Sequence, residues 1–203
     1  ARFLSAVPTG DGWLVGVTAP AASPAIEPQR LRRSLIEVLG EAPVVAAEAL
    51  GRAETRQVSM GRVGLPESGG RIVSFGAAGG LSHPATGSSL VASFRFADAV
   101  AEAIASGSDP TSVLANRAMR GTRRLHAAGL EMLLGLDGER FVDVAESFFA
   151  IPTEQWSGYL RVDAPSAEVA GAMRSVFRSA PWSVRRRLLG VDVRTLAAML
   201  RPR

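Results

Sequence analysis

The chain has 203 residues, 47% hydrophobic and 21% charged, a balance that gives a folded globular protein and excludes a disordered one. It has no cysteine, which excludes disulfides and thiolate-bound metals, and no metal site is expected. The net charge of +4 comes from arginine without lysine, and its one late cluster, "RSAPWSVRRRLL", is too local for the interleaved surface of a nucleic-acid binder; no nucleic-acid partner is expected.

The length suits one sizeable core or two small ones. No run approaches about 18 apolar residues without a charge, so no spanning helix is predicted. The opening "ARFLSAVPTGDGW" lacks the basic leader and long apolar stretch of a signal peptide. It begins as if already inside a strand, and further sequence upstream is expected.

In chain order, Phe3 to Val7 alternates weakly and Trp13 to Thr18 is rich in strand formers. "PTGDG" between them has turn chemistry, so the pair reads as a hairpin. After the small-residue loop "APAASPAI", Pro28 suits a first helical position. Leu31, Leu35, Val38 and Leu39 share a helical face, and Gly40 marks its end. "ETRQVSMGRV" reads as a strand, "GLPESGG" as a loop, and Arg71 to Phe75 as a buried strand.

Leu90, Phe94, Ala97, Ala101 and Ile104 recur at helical spacing up to "SGSDP". Beyond Pro110 everything reads as helix: Thr111 to about Leu136, Gly138 to Ala150, Ser166 to Ala180, and Ser183 to the end, with Pro152 and Pro181 as punctuation. The composition shift near Pro110 separates a mixed α/β part from an all-helical tail. The expected organisation is 1–70 as sheet with a helix, 71–109 as strand, turn and helix, and 110–203 as helical tail.

The stretch "RIVSFGAAGGLSHPATGSSL" hands a strand to a helix through residues with almost no bulk. Gly76, Gly79, Gly80 and Gly87 let backbone N–H groups approach whatever lies above. A helix N-terminus adds unpaired donors and partial positive charge. Such a turn suits an anion or an electron-rich ring, with Pro84 fixing the chain direction. The competing reading is a tight turn with close strand–helix packing. No G-x-G-x-x-G follows a first strand, so a complete dinucleotide-binding unit is not encoded.

At this stretch the sequence resembles the lycopene cyclase family, the flavin-dependent carotenoid cyclases. The family motif is similar to "FGAAGGLSHPATGSSLVASFRFADAVAEAIA", with HPATG intact at His83 to Gly87. "ARFLSAVPTGDGWLV" resembles the family's hairpin. "GLEMLLGLDGERFVDVAESFFAIPTEQWSGYL" resembles its helical tail, with marks at Phe148, Phe149, Ile151, Pro152, Trp156 and Gly158.

The resemblance implies an α/β fold, α+β locally. It would form the closing part of a Rossmann-type FAD-binding fold related to flavoprotein hydroxylases, with an antiparallel hairpin and an all-helical C-terminal tail. It implies FAD, active in its reduced form, with NAD(P)H as reductant. Phe75, Gly76, Ala77, Ala78, Gly79 and Gly80 would lie along the ribityl-pyrophosphate side, and Pro84, Thr86, Gly87 and Ser88 near the isoalloxazine ring. Related hydroxylases carry Asp where Ala77 stands.

The reaction implied is redox-neutral ring closure at the ends of an acyclic carotene. An acid protonates the terminal double bond, the next double bond attacks the cation, and a proton leaves. The resemblance implies a carotenoid substrate and a protein in the cytoplasm or peripheral on the inner face of the membrane.

Two departures accompany it. The family's amino-terminal half, which carries the glycine fingerprint for the ADP part of FAD, is absent from this sequence and would be supplied in cis or by another chain. The family's Phe-Leu-Glu-Glu-Thr type motif aligns with Leu14, Val15, Gly16, Val17 and Thr18, so both carboxylates are missing. Loss of a general acid commonly costs about 10²–10⁴-fold. The remaining acid candidates are His83, Glu27 and Asp11.

Each marked residue also has a plainer reading. His83 could cap the turn, and His126, beside Arg123 and Arg124, reads as a surface or satisfied histidine. Phe148, Phe149 and Trp156 could line a polyene tunnel or form ordinary core, and Trp13 reads as core. "WSVRRRLLGVDVRTLAAML" could lie on anionic lipid or be a solvated arginine face. Two rival functions follow: a related FAD-dependent oxidoreductase or monooxygenase with another substrate, and a non-catalytic partner domain of a split flavoprotein.

Overall fold

The computed structural model describes residues 3–19, 22–39, 54–55, 72–114 and 117–190, arranged in two units, Ala1–Val58 and Ser59–Arg203. Among the described residues the fold is mixed α/β, mostly helical, with one small antiparallel hairpin.

In the first unit, β1 (Phe3–Thr9) pairs with β2 (Gly12–Thr18), from Phe3 opposite Thr18 to Thr9 opposite Gly12. Gly10 and Asp11 make the turn, and Thr9 Oγ1 donates to Asp11 Oδ1 at 3.2 Å. The hairpin stands where the alternation placed it, with longer strands. This register sets Leu4, Ala6 and Pro8 opposite Val17, Val15 and Trp13 on one apolar face.

That face is not a core. Trp13 is 67% exposed, correcting its assignment to the interior. Two strands supply only one layer, and a layer has an interior only when another covers it. Helix α1 (Pro28–Leu39) packs against β2 and starts at Pro28 as expected. Its buried Ser34 returns its hydroxyl to the Arg30 carbonyl at 2.9 Å. Gly40, "GLPESGG" and the expected strand from Glu54 to Val63, apart from 54–55, lie outside the described residues.

In the second unit, residues 72–75 form no strand, and Ile72 is 90% exposed. This corrects the buried strand read over Arg71 to Phe75. A strand needs neighbours for its backbone groups, and the described residues offer these none. The turn 76–89 leads into α2 (Leu90–Ala105), and α3 (Thr111–Leu114) and α4 (Arg117–Leu134) follow. The helix expected from Thr111 is described as helix on both sides of residues 115–116, which lie outside the described residues. Next come α5 (Gly138–Ala150), α6 (Thr153–Tyr159), α7 (Ser166–Ser179) and α8 (Trp182–Gly190). The periodicity missed α6, because two turns are too short to show a period.

The helix ends follow local rules. Gly107, at φ 70, takes the left-handed conformation that ends α2. Asp109 accepts from the Thr111 N–H at 2.9 Å and starts α3. Asp137 caps α5 by accepting from the Arg140 N–H at 3.0 Å. Pro152, Pro165 and Pro181 stand just before α6, α7 and α8.

One core cluster joins Leu81, Ala92, Val100, Leu114, Met119 and Val162, with Phe96 and Val73 against it. A second seats Ala180, Val184 and Leu188 against Met132, Leu136, Val144 and Phe177. Arg95 of α2 pairs with Asp163 at 2.8 Å, tying that helix to the segment before α7.

The residues whose spacing marked helix α2 are not the ones it buries. It buries Ala92, Val100 and Ala103, whereas Leu90, Phe94 and Ile104 are 65%, 75% and 61% exposed. The helix carries two apolar stripes, and this chain covers only one.

Candidate functional site

The turn opens with Gly76 at φ 64 and continues through Gly80 at φ 78 and Gly87 at φ 70, conformations that other residues adopt only under strain. Gly79 is needed for a different reason. A Cβ there would stand 2.7 Å from the Phe75 Cα and would meet the Ser74 carbonyl.

The turn's amides are largely spent on the turn itself. Gly79 N–H donates to the Phe75 carbonyl, Gly80 to Ala77, Leu81 to Gly76, and His83 to Ser88. Thr86 and Gly87 both donate to the His83 carbonyl. The glycines therefore let the chain bond to itself, as in the plainer reading of this stretch. What faces outward is a rim of exposed Phe75, Ala77, Ala78, Thr86 and Ser88, with Gly76 and Gly87 half-buried. Gly79, Gly80 and Pro84 are buried. Ser89 precedes α2 without a side-chain cap, so the helix start adjoining the rim stays open.

Apart from Phe75, the rim carries only small side chains, which suit the face of a flat ring. A cradle that grips an anion through the amides of 79–88 does not fit, because Gly79, Gly80, Leu81, His83, Ala85, Thr86, Gly87 and Ser88 already have acceptors. The residues present thus fit the flavin implied by the resemblance only as one wall.

His83 points inward and is 2% exposed. Its Nδ1 accepts from the Ala85 N–H at 3.2 Å, so the proton sits on Nε2, 3.2 Å from the Tyr159 carbonyl. Burial lowers its pKa to about 4, against a small upward pull from that carbonyl. The ring is neutral at neutral pH and both nitrogens are engaged. It braces the turn against α6.

His126, on α4, is wholly buried, which corrects its reading as a surface or satisfied histidine. Its ring centroid lies 4.0 Å from that of His83 and 5.0 Å from that of Tyr159. Neither ring nitrogen has a hydrogen-bond partner among the described residues. Burial lowers its pKa to about 3, with His83 and Arg123 adding to the drop. The nearby Tyr159 carbonyl opposes it without reaching bonding geometry.

Arg123 lies one turn earlier on the same helix face, 9% exposed, with Nη1 and Nη2 buried and unpartnered. Burial lowers its pKa, and among the described residues no acidic group acts on it. Burial pushes the Tyr159 hydroxyl up to about 12. That hydroxyl occupies the space where a Gly129 side chain would start, 2.6 Å from the missing Cβ.

Rings continue outward from Tyr159. Phe148 lies 5.3 Å away, Phe149 5.1 Å beyond that, and Trp156 5.5 Å further, each edge to face. Phe149 is exposed, while Phe148 and Trp156 are half-buried. The HPATG histidine and the Phe-Phe and Trp-x-Gly marks therefore meet in one aromatic chain. Tyr159 joins them, and no spacing rule singled it out, because its role depends on a fold contact with a distant turn.

Of the other acid candidates, Asp11 is exposed at the hairpin tip and Glu27 is exposed before α1. Gly16 and Val17 are half-buried in β2 and carry no proton. Among the described residues no cluster of three or more His, Asp or Glu could hold a metal.

The comparisons with known proteins agree with this geometry. The model of the family described as lycopene cyclase protein matches residues 1–186. The chain is 32% identical over 197 residues to the lycopene beta cyclase of Synechococcus elongatus, covering 90% of this chain and 47% of that protein. It is 31% identical over 194 residues to an uncharacterized carotenoid cyclase of Deinococcus radiodurans, covering 91% and 47%. It is 30% identical over 134 residues to the chromoplastic capsanthin/capsorubin synthase of Citrus sinensis, covering 60% and 26%. The chain spans about half the length of the first two relatives, and no solved structure matches it significantly. A family match over residues 1–186, most of the chain, places this protein in the lycopene cyclase family.

Proposed function

We propose that the chain is the C-terminal half of a lycopene cyclase-like flavoprotein that closes rings on the ends of acyclic carotenes. The observation that carries this reading is the family match over residues 1–186, whose motif residues His83, Phe148, Phe149 and Trp156 converge around Tyr159. FAD, kept reduced by NAD(P)H, would lie against the rim of Phe75, Ala77, Ala78, Thr86 and Ser88. Most contacts to its phosphates would come from outside this chain, since most amides of 79–88 are occupied.

Within this reading the chain's residues have distinct tasks. His83 fixes the rim through Tyr159 and Ala85. The edge-to-face rings of Phe148, Phe149 and Trp156 offer a dry apolar wall to a polyene. The proton donor is neither Gly16 nor Val17, and neutral, engaged His83 is a poor acid at neutral pH. The reading therefore places the acid in the remaining half.

The decisive experiment expresses this chain, joined to or alongside an amino-terminal half, in cells that accumulate lycopene. Ring-bearing products support the proposal. Bound, reduced flavin with no cyclised product favours a related FAD-dependent oxidoreductase or monooxygenase, the reading that Gly16 and Val17 support. A chain that turns yellow only with a companion half and never turns over substrate acts as a partner domain, as its half length would allow.

Membrane docking belongs to the same proposal. No described helix is long and apolar enough to cross a membrane. Trp182 is exposed at the start of α8, with the Arg185 guanidinium 5.7 Å over its ring, a pairing suited to an anionic lipid surface. In liposome flotation, Arg185, Arg186→Glu should lose binding to anionic vesicles. Equal flotation of variant and wild type removes this part.

A further inference from the structure

Behind the turn, the Arg123 guanidinium and the neutral His126 ring form a buried polar cluster with no counter-charge among the described residues. Both Arg123 terminal nitrogens and both His126 ring nitrogens are buried without a partner among the described residues. A guanidinium stays protonated even when buried. A buried unpaired charge is among the costliest features a fold can keep, and nearly all buried polar groups are satisfied.

Here the cost is concentrated. Two arms of one guanidinium and one neutral imidazole lie on the same face of α4, close enough for the Arg123 charge to depress His126. Among the described residues no acidic group acts on Arg123, and burial is the cause of its lowered pKa. The flanking titratable groups are no remedy. His83 has its nitrogens engaged, and the Tyr159 hydroxyl abuts Gly129.

From this we infer that Arg123 and His126 are a buried receptor for a small oxyanion, bound by the guanidinium fork and the His126 N–H. The shared chemistry is a planar or tetrahedral group of negative oxygens. A carboxylate and a phosphate both provide it. The nitrogens are sealed from solvent.

The His126 ring nitrogens report occupancy directly. In the full chain labelled with ¹⁵N, inorganic phosphate is titrated against chloride at fixed ionic strength and neutral pH, with acetate in a parallel arm. The expected result is a saturating change in the His126 ring signals. Saturation by acetate identifies a carboxylate as the natural group, and saturation by phosphate alone identifies a phosphate. Arg123→Met should abolish the response. It should also raise Tm in phosphate-free buffer, because it removes an unpaired charge. Removal of an arginine with a polypeptide partner would lower Tm.

A linear response in both arms, an equal response in Arg123→Met, or a lowered Tm in that variant overturns the inference. Should Arg123→Met fail to fold, Arg123→Lys keeps the charge and loses the fork. Half-saturation should then need roughly tenfold more of the effective anion, and an unchanged midpoint also overturns the inference.

Discussion

Gly79 and the two buried histidines carry the sharpest residue-scale expectations. Gly79→Ala puts a Cβ against the Ser74 carbonyl and 2.7 Å from the Phe75 Cα, and backbone cannot swing aside as a long side chain can. A loss of about 1–3 kcal/mol in urea denaturation is expected, and a loss below about 0.5 kcal/mol would contradict the turn geometry. The histidines make stability depend on pH. Their folded pKa values, about 4 for His83 and about 3 for His126, lie below the unfolded 6.5, so folding favours the neutral rings. Their contribution is whole above pH 6.5 and is lost as the pH falls through about 4 and then about 3. Each unit of depression is worth about 1.4 kcal/mol, and the two rings share one contact, so their effects do not simply add. Denaturation at pH 7.5 and 4.5 should differ by a few kcal/mol, and His83, His126→Phe should flatten the difference. An undiminished slope would assign it to carboxylates instead. Asp163 is the first suspect, since burial works to raise its pKa but Arg161 and Arg95 outweigh this and hold it low. At this scale the sequence exposed part of the site. "HPATG" marked His83 because Gly and Pro constrain the chain locally. His126 carried no such mark, because a buried and a solvated histidine on a helix look alike until the opposing element is known.

Helix α2 shows what periodicity does and does not specify. A period of 3.6 predicted the helix, and the helix is there. The spacing drew one apolar stripe through Leu90, Phe94 and Ile104, yet these are exposed and the buried positions are Ala92, Val100 and Ala103. When two stripes are apolar, their order of burial depends on which surface arrives, and that information lies outside the helix. Val100→Ala should therefore cost about 1–3 kcal/mol, while Phe94→Ser should change stability by less than about 0.5 kcal/mol. The opposite ranking in thermal melts would restore the periodic reading. Helix α4 depends on a polar tie instead. Thr122 is fully buried and its hydroxyl donates to the Ala164 carbonyl at 2.6 Å. Thr122→Val keeps the shape and strands that carbonyl, for an expected loss of about 1–2 kcal/mol by chemical denaturation, and no measurable loss would mean that water replaces the hydroxyl. The strand expected over Arg71 to Phe75 failed for the same reason that α2 buries its other stripe. Sheets and two-faced helices need neighbours, and local composition reports only the willingness to have them.

At the scale of the molecule, the hairpin, the helical tail and the family were legible, because each rests on local chemistry or a long motif. The site was legible only in outline, since its closure depends on what lies against Ile72, Phe75 and the outer stripe of α2. Uncovered apolar surface of this kind should make the chain self-associate. Sedimentation velocity should show concentration-dependent association, and Leu90, Phe94→Asp should suppress it; a wild type that stays monomeric at all concentrations would argue against a contact surface there. The placement of the three tryptophans also decides what an optical experiment can see. Trp13 and Trp182 stand in water, and only Trp156 rests edge-on against a neighbouring phenyl ring. Intrinsic emission should thus be red-shifted and easily quenched by acrylamide even in the native protein. The small blue component that disappears on unfolding would come from one indole, giving a built-in fluorescent gauge of whether the aromatic chain around Tyr159 is intact.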